Sequence, residues 1–98
     1  MLLLPETLGM REARDTLRLL TLALERETEP LLVIDGSQLQ QFDSSALAVL
    51  LECRRLAQTW GKRFELHALP PKLVGLARLY GLDLLLEPPS VQAAVRAR

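Results

Sequence analysis

Between Pro30 and the pair Asp35-Gly36 runs Leu31-Leu32-Val33-Ile34, a short stretch in which every residue is apolar. A run this brief, apolar on both faces and bounded by turn formers, reads as a central strand covered from both sides. Beyond it, Phe42-Asp43-Ser44-Ser45 leads into Ala46–Trp60, a stretch of strong helix formers with cap residues before it and Gly61 after it. A buried strand feeding a helix of that length calls for a further strand running parallel to the first. Arg63–Leu69 supplies one, with Phe64, Leu66 and Ala68 alternating onto one face.

The flanking segments extend the same alternation. Residues 2–5 read as a short edge strand ended by Pro5, which has no N–H for a ladder. From Met10 the period changes: Met10, Ala13, Leu17, Leu20 and Leu24 share one side, and Arg11, Arg14, Asp15, Arg18 and Glu25 the other. Gly9 and Glu12 stand where they cap that helix, and Pro30 closes the polar stretch after it. A third helix is expected from Lys72 to Tyr80, entered through Pro70-Pro71 and closed by Gly81. Leu82–Leu86 then reads as a final strand, and Ser90 as the cap of a tail helix over 91–97. The whole chain, 1–98, is thus expected to form a single α/β domain of about four mostly parallel strands and about four helices, lying mainly on one face.

Charge narrows the choice of partner. Twelve Lys and Arg balance twelve Asp and Glu, whereas nucleic-acid binding needs a basic surplus to neutralise phosphates. No apolar run approaches the ~20 residues that span a bilayer. Met1–Glu6 lacks the basic start and the apolar length of a signal peptide, so the expectation is a cytoplasmic protein. The single cysteine leaves no disulfide to form. Hydrophobic residues make up 49% of a chain without net charge, a composition that favours covering some apolar surface with a partner.

Catalytic apparatus is hard to find. His67 falls on the polar face of its strand, and Cys53 sits mid-helix among apolar neighbours, where an inert buried thiol is the natural reading. One His and one Cys make no zinc cluster, and no phosphate-binding glycine loop or nucleophile elbow is present. The expectation is therefore a binding module without metal or cofactor rather than an enzyme.

The segment Asp43-Ser44-Ser45 is the exception. It places small hydroxyls at the positive end of a helix dipole, where they act as caps and where a phosphate would also be held. Behind it, Ala46, Val49, Leu50, Cys53, Ala57 and Trp60 form an inward stripe, which turns Leu47, Ala48 and Leu51 outward ahead of Arg54 and Arg55. A helix with an outer face apolar at one end and basic at the other suits a protein partner.

These residues resemble a bacterial STAS domain. The resemblance is carried by Leu31–Asp35, by Phe42-Asp43-Ser44-Ser45-Ala46-Leu47, by the Gly61-Lys62 turn and strand after it, and by Leu76-Ala77-Arg78-Leu79-Tyr80-Gly81-Leu82. It implies a mixed sheet covered by helices, acting through protein contacts. Two branches of the family fit. In anti-sigma factor antagonists the second hydroxyl of the motif, here Ser45, is the phosphoacceptor. In the small subunit of Mla-type phospholipid-transport ABC transporters the functional hydroxyl directly follows the aspartate, here Ser44. Both branches usually carry glycine where this chain has Ala46. The Leu-Ala-Arg-Leu-Tyr stretch is similar to the transporter branch.

The resemblance accordingly implies an accessory subunit that binds the ATPase of a phospholipid-transport ABC complex, and the permease indirectly, at the cytoplasmic side of the inner membrane. The expected contact residues are Asp43, Ser44, Ser45, Leu47, Ala48, Leu51 and Arg54, with Arg78 and Tyr80 as a second patch. Ser45 and Ser44 are the candidate phosphoacceptors, and weak self-association of the isolated chain is allowed.

Overall fold

In the computed structural model, residues 2–85 are described. They form β1 (Leu2–Leu3), β2 (Thr7–Leu8), α1 (Met10–Arg26), β3 (Leu31–Asp35), β4 (Gln41–Phe42), α2 (Ser45–Thr59), β5 (Arg63–His67) and α3 (Pro71–Leu79), followed by a 3₁₀ turn at Asp83–Leu85. Three strands make a parallel sheet in the order β1-β3-β5, with Leu2 opposite Ile34 and Ile34 opposite Leu66. A separate parallel pair joins β2 to β4. This is an α/β fold of the expected class.

The central position of β3 follows from its apolar run, but its cover does not. Leu32 and Ile34 are fully buried while Leu31 and Val33 are only half-buried. On the buried face Leu4, Leu32 and Ile34 join Leu20, Leu24, Leu50, Cys53 and Leu73 in one core. The other face carries Leu3, Arg63 and His67, all exposed. Both faces of the run are apolar, yet burial is concentrated on one, so the expectation of a doubly covered strand is corrected.

Helix α1 starts as its cap residues require: the Glu12 carboxylate accepts the Gly9 N–H at 2.9 Å. Its inner face is Thr16, Leu20 and Leu24, and Met10, expected to lead the apolar stripe, is exposed because it stands in the first turn. At its far end the Lys62 ammonium donates to the carbonyls of Glu27 and Glu29, placing a cation where the helix dipole is negative. Trp60, expected to continue the inward stripe of α2, is its C-cap and lies partly exposed.

Among the described residues, Leu82–Leu85 do not form the expected last strand. Gly81 turns left-handed (φ 71°) after α3, Leu82 N–H returns to the Ala77 carbonyl at 2.8 Å, and Leu85 N–H bonds the Leu82 carbonyl at 3.0 Å. That helix stop folds the following leucines into a turn, which packs on α2 and α3 and buries Leu85. Leu86 and the expected tail helix over 91–97 lie outside the described residues.

Where β3 and β5 end, the chain is crowded. Gly36 N–H donates to the His67 carbonyl at 2.8 Å, and a Cβ on Gly36 would lie 2.9 Å from Leu69 Cδ2. Next to this crossing Ala68 takes φ 58°, the left-handed region, as no other described non-glycine residue does. Glycine adopts that geometry without the Cβ clash, so Ala68→Gly is expected to raise stability by about 0.5–1 kcal/mol. Urea unfolding at unchanged slope measures it; a lowered midpoint would contradict the strain.

Candidate functional site

The site is organised by the shortest strands of the fold. Leu8 pairs with Phe42 across β2–β4, and the Glu6 carbonyl accepts from the N–H groups of Gln40 and Gln41 at 2.8 and 3.0 Å. This register brings Gly9 and Asp43 side by side, so α1 and α2 begin next to each other. Asp43 uses the proximity with both oxygens. Oδ1 accepts the Ser45 N–H at 2.8 Å, and Oδ2 accepts the Met10 N–H at 3.1 Å.

One carboxylate therefore serves the positive ends of two helices. The approach is close enough that a Cβ on Gly9 would sit 3.2 Å from Asp43 Oδ2 and 3.4 Å from Glu12 Oε1. The Ser45 N–H, then the Ser45 hydroxyl, hold the Asp43 carboxyl below the ordinary aspartate range, with a smaller contribution from the Met10 N–H. The expected capping is thus reassigned. Ser44 stands at the N-cap position but makes no side-chain capping bond, and Asp43 supplies the acceptor instead.

With its capping duty removed, Ser44 is an exposed hydroxyl at the mouth of α2, and Ser45 is half-buried. Down the helix Ala48 is exposed, and Leu51 and Arg54 are half-buried. Leu47 departs from expectation: it is 2% exposed and belongs to the core. The 3₁₀ turn packs on α2, where the sequence reading placed another sheet strand, and Leu47 joins the core cluster that includes its Leu85. Its side chain is therefore not part of an outer contact surface.

The second patch lies at the end of α3. Arg78, Leu79 and Tyr80 are all exposed, Leu79 at 77% and Tyr80 at 56%, while Leu73 and Ala77 hold the helix to the core. Leu79 was not among the expected contact residues, although it lies between two that were. The 3₁₀ turn packs on both α2 and α3 and carries the exposed Leu84.

The remaining chemical groups are placed for packing and surface pairing. Burial, with a smaller effect of Glu52, pushes the Cys53 thiol up to about 12, far from a reactive thiolate. His67 Nε2 lies 2.8 Å from Glu65 Oε1 on the polar face of β5. Among the described residues no trio of His, Cys, Asp or Glu is placed to hold a metal ion, and no helix is long and apolar enough to cross a membrane.

Comparison with protein families gives a match over residues 1–87 to the model described as Mlab, STAS domain. No curated protein matches the chain.

Replacing Asp43 with Ala removes the acceptor for both helix starts, and the variant is expected to melt at a lower temperature than the parent at neutral pH. Because the Asp43 pKa is depressed by folding, its contribution is complete above its ordinary value of 3.8 and is lost as pH falls through the lower folded value. The difference in melting temperature between parent and variant should therefore narrow only in strong acid. A difference that stays constant there would show that the charge of Asp43 is not what holds the two helices.

Proposed function

The chain belongs to the STAS domain family, and from that premise we propose that it is the accessory subunit that binds the ATPase of a phospholipid-transport ABC complex. STAS domains act as regulatory and interaction modules rather than through chemistry of their own. The contact surface comprises Asp43, Ser44, Ser45, Ala48, Leu51 and Arg54 at the start of α2, with Arg78, Leu79 and Tyr80 at the end of α3. Through that ATPase the domain reaches the permease and sits at the cytoplasmic side of the inner membrane, while lipid is handled by other subunits.

The observation that carries this reading is the exposure of Leu79 and Tyr80. They belong to the segment that resembles the transporter branch, and large apolar side chains held at a helix end contribute little to the core of the isolated domain. A tyrosine beside an arginine is also the composition of an interface anchor.

The antagonist reading, in which Ser45 is phosphorylated by an anti-sigma-type kinase, is supported by the place of Ser45 at the first turn of α2. Its N–H donates to Asp43 Oδ1 at 2.8 Å, and its N–H and hydroxyl together hold that carboxyl below the ordinary aspartate range. Incubation with such a kinase and ATP, followed by mass spectrometry, separates the two. A phosphate on Ser45 would favour the signalling role, and an unmodified chain the transport role.

Ser44→Glu and Tyr80→Ala alter exposed positions and should leave the fold intact. Each is expected to reduce co-purification with the ATPase subunit in mild detergent by at least about tenfold, as substitution of an interface anchor does. Leu51→Asp should act in the same direction, with circular dichroism as its folding control. Unchanged recovery of the ATPase by folded Ser44→Glu and Tyr80→Ala proteins would overturn the reading.

A further inference from the structure

Helix α1 has a second apolar stripe that its packing does not use. Leu19 is 65% exposed and Leu22 45% exposed, and with Ala23, Arg26 and Glu27 they line a shallow groove of about 460 Å³ on the outer side of the helix. Asp15, Leu19, Leu22 and Arg26 follow one another at intervals of four, three and four residues. That is the spacing of a helix–helix seam.

Charge along the same helix is divided by its length. The first half carries Arg11, Arg14 and Arg18 against Glu12 and Asp15, with Arg14 in the groove that α1 forms with Ala48, Val49 and Glu52 of α2, and the last turn with its extension carries Glu25, Glu27 and Glu29 against Arg26 and the Lys62 ammonium. One end is therefore basic and the other acidic, on a chain whose overall charge is zero. An anionic membrane would be repelled by the acidic end. A copy of the same helix laid antiparallel meets opposite charge at both ends.

We propose that the outer face of α1 is a self-association surface, on which a second copy of this chain packs its own α1 in antiparallel orientation about a two-fold axis. Leu19 of each copy faces Leu22 of the other at the centre. Asp15 faces Arg26, twice by symmetry. Antiparallel helix dipoles add to the attraction. Asp15 now makes only a 3.5 Å exposed pair with Arg18 in its own helix, a contact weak enough to be exchanged for the new one. The surface lies on α1, apart from the residues proposed to meet the ATPase, and does not depend on that reading.

Sedimentation velocity of the full chain from about 10 to 500 μM, the range where small interfaces associate, tests the proposal. A monomer–dimer equilibrium is expected that weakens as salt is raised. Leu22→Asp should abolish it while circular dichroism stays that of the parent. Asp15→Arg and Arg26→Asp should each weaken dimerisation by about tenfold or more, and the double variant, which restores opposite charges across the axis, should recover most of the loss. Three results would overturn the proposal: a monomer at every concentration, a dimer indifferent to Leu22→Asp and to both charge reversals, or a monomer that binds anionic phospholipid vesicles through this face.

Discussion

The α2 part of the candidate surface depends on one carboxylate. Asp43 accepts from the N–H groups of Ser45 and Met10 and so fixes the starts of α2 and α1 relative to each other. The arrangement needs the β2–β4 register to bring Gly9 and Asp43 together. Gly9 leaves room for it: a Cβ there would lie 3.2 Å from Asp43 Oδ2, and the carboxylate would have to give by a few tenths of an ångström. A negative charge shared by two positive helix ends is favourable at both. At the opposite end of α1 the Lys62 ammonium holds the Glu27 and Glu29 carbonyls. The helix is thus secured at each end by a side chain of the complementary sign, from the strand-to-helix connection before α2 and the turn after it.

Because Asp43 takes over the capping, Ser44 is released to the surface. The same residue type that would be a structural cap in isolation becomes an accessible hydroxyl beside an exposed alanine and a half-buried leucine. The exposed end of α3 adds Leu79 and Tyr80. A rigid start to α2 gives a partner a preorganised surface, and less ordering cost accompanies binding. The outer stripe of α1 has different chemistry, divided between a basic and an acidic end.

Much of this was legible in the residues. The apolar run at Leu31–Ile34, the caps around α2, the alternation in β5 and the proline entrance to α3 each carry a local signal strong enough to place an element. The two-residue strands β2 and β4 carry none, since no periodicity exists over two residues, and so the clamp they create was invisible. Leu82–Leu85 failed for another reason: a leucine run fits a buried strand or a buried turn equally well, and the helix stop at Gly81 decided in favour of the turn. Leu47, expected on the outer face, lies in the core. Asp43 and Ser44 stand out in the sequence by their motif chemistry and Tyr80 by the family resemblance, whereas the exposure of Leu79 and the charge division of α1 emerge only once the packed face of each helix is known.

The central claim is that the α2–α3 surface exists to hold the ATPase of a lipid-transporting ABC complex. The most direct measurement is an affinity pull-down of the tagged native protein from its own cells in mild detergent, with the bound proteins identified by mass spectrometry. Recovery of an ABC ATPase together with its permease is the predicted result. Recovery of a small kinase-like protein, with no transporter subunit, would contradict it and make Ser45 the centre of a phosphorylation switch.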